Sequence, residues 1–283
     1  MTTARDLVDG NIQGPIYWQV QARSILPVLV RQAQAHLPIE YENLGREVGV
    51  WHRQLGKPLG CIGYALTELA REWGEEIPHI QSLVIKKQTK LPSSGFDGFL
   101  AAKGYGNLDI RAKRKLLNEY WSGIYAYPHW DEVLEALELT PTGVGLAPVI
   151  TNAAFGGGGE GPEHLALKNF ICANPQLVGL KVGDLPGEPE YPLPSGDSVD
   201  VVFAQKRRIH AVEVKPAAAS LEDVTRGLFQ CVKYRAVLLA RAAYQHDNRM
   251  VTACLALGGE LPATLIPLRN SLGVEVFESI VPN

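Results

Sequence analysis

Residues 195–215 read SGDSVDVVFAQKRRIHAVEVK, and the rest of the fold is read outward from them. Two valine-rich runs, one starting at about Val199 and the other lying within RRIHAVEVKP, flank the basic turn QKRR (205–208). That pattern predicts two adjacent strands, joined as a hairpin or a meander. Side chains on a strand alternate faces, so Glu213 and Lys215 point one way while Val212 and Val214 point the other. An acid and a lysine side by side among valines need an explanation. Asp200, at the start of the first strand, brings a second carboxylate towards Glu213. Two carboxylates and a strand carbonyl, that of Val214, form an oxygen-rich set suited to Mg²⁺, with Mn²⁺ able to substitute. Lys215 is placed to orient or deprotonate a water beside it.

The flanking sequence extends this set. PEHLALKNFI (162–171) predicts a helix with Pro162 in its first turn, Glu163 near its N-terminus and an apolar face of Leu165, Leu167, Phe170 and Ile171. DVTRGLFQCVKYRAVLLARAA (223–243) predicts a second helix on which Gln230 and Tyr234 share a face. The tail from Met250 to Ile280 reads as strand, helix, strand and completes an α/β core. Plainer readings exist for several residues. Glu213 and Lys215 also suit a solvated ion pair, Asp197 competes with Asp200, and Glu160, after the glycine run Gly156–Gly159, competes with Glu163. His164 and His210 read as structural histidines.

An acid on a first helix, Asp on a strand, E-x-K on the next strand and Q-x-x-x-Y on the following helix resemble the PD-(D/E)XK nuclease superfamily, in its RecB-like variant. The resemblance covers roughly residues 155–280. It implies a restriction-endonuclease-like core, a mixed central sheet flanked by helices. It also implies a Mg²⁺-dependent deoxyribonuclease in which Asp200, Glu213, the Val214 carbonyl and Glu163 hold the metal. Lys215 would handle the nucleophile, and Gln230 and Tyr234 would position the site and the nucleic acid. The alternative is a non-catalytic DNA- or partner-binding module that keeps a nuclease fold.

Residues 1–100 read as mainly helical. YWQVQARSILPVLVRQAQAH (17–36) predicts a helix interrupted near Pro27, and Tyr41, Leu44 and Val48 mark a second helix stopped by Gly49. LGCIGYALTELAREWG (59–74) predicts a third, and residues 77–100 predict a strand, a turn and a further extended piece. The order suggests a winged helix-turn-helix. It resembles the winged-helix half of DNA alkyltransferase-like proteins over about residues 25–100. Where that family carries its reactive Cys or Trp, this chain has His79, Ile80 and Gln81 after Pro78, and Gly60 stands where a basic residue is expected. Alkyl transfer is therefore not expected. DNA binding is, with Arg53, Lys57, Lys86, Lys87 and Lys90 as the candidate contacts. Residues 101–153 read as a connector with a basic cluster at 111–115 and a short amphipathic helix in WDEVLEALEL (130–139), and residues 154–283 as the nuclease domain.

Composition sets the outer limits. With 283 residues, 46% apolar, the chain can bury one large core or two medium ones. A net charge of −3 excludes a protein that coats nucleic acid wholesale, so any contact with DNA, expected to be double-stranded, must be local. Four scattered cysteines form no CxxC pair and read as reduced thiols of a cytoplasmic protein. No signal peptide or membrane-length apolar run is read. Paired cuts in duplex DNA would favour a homodimer, and the modest charge would suit a helper subunit.

Overall fold

The computed structural model describes residues 11–93, 98, 105, 108–144, 161–181 and 186–282. The chain divides into two units, Met1–Gly143 and Val144–Asn283. Gly156–Gly159, Glu160 and the extended piece expected around residues 94–97 lie outside the described residues. Among the described residues, no helix is long and apolar enough to cross a membrane.

The first unit contains α1 (Tyr17–Gln34), β1 (Ile39–Glu40), α2 (Tyr41–Val48), α3 (Gly56–Trp73), β2 (Val84–Ile85), α4 (Ile110–Ala126) and α5 (Trp130–Ala136). The break expected at Pro27 does not occur, and α1 runs through it. An interior proline costs roughly 3 kcal/mol. Here it sits among the fully buried Ile25, Leu26 and Leu29, and their burial offsets that cost. Gly49 and Gly74 adopt the left-handed conformation and close α2 and α3. Arg31 on α1 makes a bidentate pair with Glu47 on α2, its guanidinium nitrogens 2.7 and 2.8 Å from the two carboxylate oxygens, and both side chains are buried.

Two expectations for this unit need correction. No antiparallel ribbon follows α3 among the described residues. β2 is two residues long and pairs in parallel with β1, Ile39 opposite Val84. The basic stretch beyond it turns back on itself, Lys90 N–H donating to the Lys86 carbonyl. The stretch read as a connector supplies α4 and α5 to the core. Leu117, Trp121 and Ile124 recur on one face of α4 and are buried, as are Trp130, Val133 and Leu134 of α5. The two indoles keep their N–H groups satisfied inside, Trp121 on the Ser82 carbonyl and Trp130 on the Ile124 carbonyl.

The second unit is a five-stranded sheet in the order β3 (Glu188–Pro192), β4 (Ser198–Ala204), β5 (Arg208–Lys215), β6 (Met250–Leu257), β7 (Glu275–Phe277). β3, β4 and β5 are antiparallel neighbours, whereas β5, β6 and β7 run parallel. The parallel step from β5 to β6 is bridged by α7 (Leu221–Tyr244). α6 (Pro162–Ala173) precedes the sheet and α8 (Ile266–Leu272) separates β6 from β7. Val224, Leu228, Cys231 and Leu238 of α7 pack with Ala211, Ala253 and Leu255 on one face. Leu167 and Ile171 of α6 pack with Val201, Phe203, Val212 and Val214 on the other. All four cysteines are free thiols.

His210 lies buried in the α6 face, its Nδ1 2.7 Å from Thr252 Oγ1 and its Nε2 3.2 Å from Cys254 Sγ. Burial, with Arg208 nearby, pulls its pKa from the ordinary 6.5 to about 4. The folded chain thus holds this proton less tightly than the unfolded chain. The stability that follows is complete above pH 6.5 and is lost as pH falls from 6.5 towards 4, by up to about 3 kcal/mol. Across that interval the wild-type urea midpoint should fall relative to that of His210→Gln as the pH is lowered, the difference isolating His210 from Glu213, whose raised pKa acts in the opposite direction.

Candidate active site

The site forms where β4 separates from β5. Ladder pairs run from Ala204↔Ile209 to Val201↔Val212. Continued, they would set Val199 opposite Val214. Instead β4 breaks alternation at Asp200: Val199 packs with the α7 cluster, whereas Val201, two residues on, packs with the α6 cluster. The Val214 N–H, which a buried strand cannot leave unpaired cheaply, donates to Asp200 Oδ2 at 2.7 Å. One side-chain oxygen thereby replaces a ladder acceptor and brings the Asp200 carboxylate against the β5 backbone.

β3 is distorted at the same level. Pro189↔Val201 and Tyr191↔Val199 bracket Asp200, and the intervening Glu190 has φ +53°, rare for a residue other than glycine. Its carboxylate accepts from Ser198 Oγ at 3.0 Å and pairs with the ammonium of Lys168, a buried side chain of α6.

Glu213 and Lys215 share the α7 face of β5, as alternation predicts. Lys215 Nζ donates to Glu213 Oε1 at 2.5 Å, and both groups are largely shielded from solvent. Burial, then repulsion from Asp200, raises the Glu213 carboxyl to about 7, with Lys215 and the Tyr234 hydroxyl opposing. Gln230 Nε2 donates to the Tyr234 hydroxyl at 3.2 Å, and that hydroxyl donates to the Ser198 carbonyl at 3.0 Å. Burial raises the Tyr234 pKa, so the phenol stays protonated. Asp197 is occupied elsewhere, accepting from Lys233 and Ser195 at 2.7 and 2.6 Å.

The structure therefore brings Asp200, Glu213, Val214, Lys215, Gln230 and Tyr234 into one neighbourhood. Glu163 does not join it. That residue is exposed in the first turn of α6 and makes no hydrogen bond or ion pair among the described residues. The next residue, His164, takes the place at the site. Its Nε2 lies 3.1 Å from the Val214 carbonyl oxygen and 3.4 Å from Asp200 Oδ2. A carbonyl oxygen only accepts, so this nitrogen carries the hydrogen. Nothing local in the sequence distinguishes His164 from Glu163. Which one faces the sheet depends on how α6 enters it.

Asp200, Glu213 and the Val214 carbonyl fit a hard divalent cation by donor chemistry. Among the described residues no three His, Cys, Asp or Glu side chains already converge as a metal-binding group. A cation held here would draw on the Val214 carbonyl and water beside the carboxylates.

Of the candidate DNA contacts, Lys90 Nζ lies 2.5 Å from Glu40 Oε1, while Arg53 and Lys57 stack over the Trp51 and Trp18 rings. Lys86 and Lys87 are exposed beyond β2.

Comparison with protein-family models, curated proteins and solved structures finds no match to this chain.

Gly227 lets α7 approach the site. A Cβ there would stand 2.8 Å from Leu255 Cδ1, 3.3 Å from Lys215 Cε and 3.5 Å from Glu213 Cγ. Alanine would gain about 1 kcal/mol of helix propensity, against about 1–3 kcal/mol for overpacking a filled interior. Because Leu255 is fully buried, overpacking should win. Gly227→Ala should lower the urea midpoint, whereas Gly123→Ala, on α4 with open space around it, should raise it or leave it unchanged.

Proposed function

We propose that this chain is a metal-dependent nuclease that hydrolyses phosphodiester bonds in DNA, with the second unit as a catalytic domain of the PD-(D/E)XK type. The observation that carries this reading is the engagement of the Asp200 carboxylate with the Val214 main chain, directly beside the buried Glu213–Lys215 pair. The mixed sheet flanked by helices supports the same reading.

Asp200, Glu213 and the Val214 carbonyl would hold Mg²⁺ or Mn²⁺, and His164 borders the same position. The ion, when bound, supplies positive charge to a phosphate. Burial raises the Glu213 carboxyl pKa and favours its protonated form, whereas the Lys215 ammonium and a divalent cation would favour the carboxylate. The Lys215 ammonium orients the attacking water by donating to it. The Tyr234 hydroxyl, accepting from Gln230 and donating to the Ser198 carbonyl, ties α7 to the start of β4 beside Glu213, and Glu163 is left at the rim of the site. The first unit recruits the nucleic acid. A cytoplasmic role in defence against foreign DNA or in DNA repair belongs to this reading by analogy with that superfamily.

The test is incubation with supercoiled plasmid in Mg²⁺, in Mn²⁺ and in EDTA. Wild-type protein should nick or degrade the plasmid in either metal and not in EDTA. Lys215→Ala should cut at least about 100-fold more slowly, and Asp200→Asn should abolish cutting and Mn²⁺ binding. Glu163→Gln, at an exposed position, should cost far less than His164→Ala. Mn²⁺ binding that depends on Asp200, without cleavage of any substrate, would replace this reading with that of a binding module built on the same fold.

A further inference from the structure

The first unit carries an aromatic, basic surface that the site in the second unit does not use. Trp51 precedes the short turn of helix His52–Gln54 and is 57% exposed, unusual for the largest apolar side chain. The Arg53 guanidinium lies over its ring, 5.3 Å from the centroid, and the His52 ring meets it edge-on at 5.9 Å. Lys57, in the first turn of α3, repeats the arrangement, its ammonium 4.8 Å over the ring of Trp18 in the first turn of α1. Tyr17, beside Trp18, and Tyr64, two turns along α3 from Lys57, are also exposed.

The charge pattern is one-sided. Residues 11–39 and 48–67, which supply this surface, contain no Asp or Glu, although the chain has 30 of them. They contain Arg23, Arg31, His36, His52, Arg53 and Lys57. Of these, Arg31 is neutralised by Glu47 from α2. Arg53 and Lys57 are held over rings instead of carboxylates.

We infer that this surface binds single-stranded nucleic acid, with an unpaired base stacking on Trp51 and phosphates meeting Arg53 and Lys57. An exposed indole with the Arg53 guanidinium on its ring, and a second ring–cation pair of Trp18 and Lys57 on the same unit, offer π-faces and positive charge together, and a single strand needs both. A duplex keeps its bases stacked internally and would leave the Trp51 face unused. An apolar protein partner would have to bury Arg53 and Lys57 without a counter-charge. The inference stands on the first unit alone and holds whether or not the second unit cuts. If that unit does cut, the surface specifies the strand state of the nucleic acid delivered to it.

The experiment is fluorescence anisotropy with the full chain in EDTA, where metal-dependent cutting cannot interfere. The probes are labelled oligo(dT), oligo(rU) and a blunt duplex of equal length. One of the single strands should bind more tightly than the duplex, and whichever is preferred identifies the sugar. Trp51→Ala should weaken that binding roughly tenfold, the loss of about one stacked base, while Trp51→Phe keeps most of it. Trp73→Ala, at the far end of α3, should have no effect. Arg53→Gln and Lys57→Gln should each reduce the slope of log affinity against log salt by about one. Far-ultraviolet circular dichroism identical to wild type would establish that the exposed Trp51 can be replaced without unfolding. Trp51→Ala binding as tightly as wild type would overturn the proposal. So would a duplex that binds as tightly as both single strands, or no binding of any probe.

Discussion

The hydrogen bond from the Val214 N–H to the Asp200 carboxylate is the constraint on which the candidate site in the second unit rests. A strand buried on both faces must pair its main chain. β5 does so with β6 along its whole length, but on its other edge β4 leaves it after Val201↔Val212. Asp200 fills the vacant acceptor position with its side chain, and His164 from α6 approaches the Val214 carbonyl. Structure and site are thus one event. The residue that repairs the broken ladder is also the one that presents charge beside Glu213. Glu190, Lys168 and Ser198 fasten the other side of the break, so α6, β3 and β4 converge on it.

The parts of this arrangement that were legible in the sequence are those set by local periodicity. Alternation placed Glu213 and Lys215 on one face, helical spacing put Gln230 and Tyr234 together, and the apolar runs marked β4, β5 and β6. The parts that were not legible depend on long-range packing. β3 reads EPEYP, a composition with little strand propensity, and it is a strand only because β4 pairs with it. His164 and Glu163 are neighbours, and a helix rotated by one residue would exchange their roles. Lys168 reads as an exposed helix lysine until Glu190, far along the chain, is brought to it.

In the first unit spacing outweighs composition. The cluster at 111–115 is basic, yet Leu117, Trp121 and Ile124 recur at intervals of four and three within the same helix and mark a buried face. Pro27 predicts a break by its residue type alone. Its local cost is real, but neighbours buried on all sides hold the helix straight through it. The compositional signal that did carry information was the absence of acids from two stretches that fold together, visible only once α1 and α3 are seen to share a surface.

β3 also closes one side of the sheet to further growth. An unpaired outer strand is ordinarily a template on which another chain can add by main-chain pairing. Of the five residues of β3, two are prolines that offer no N–H and two are glutamates, and Glu190 bends the strand at its centre. An incoming strand would meet missing donors, negative charge and a kink. A second copy of this chain would therefore find few main-chain partners for a continuous sheet across that edge.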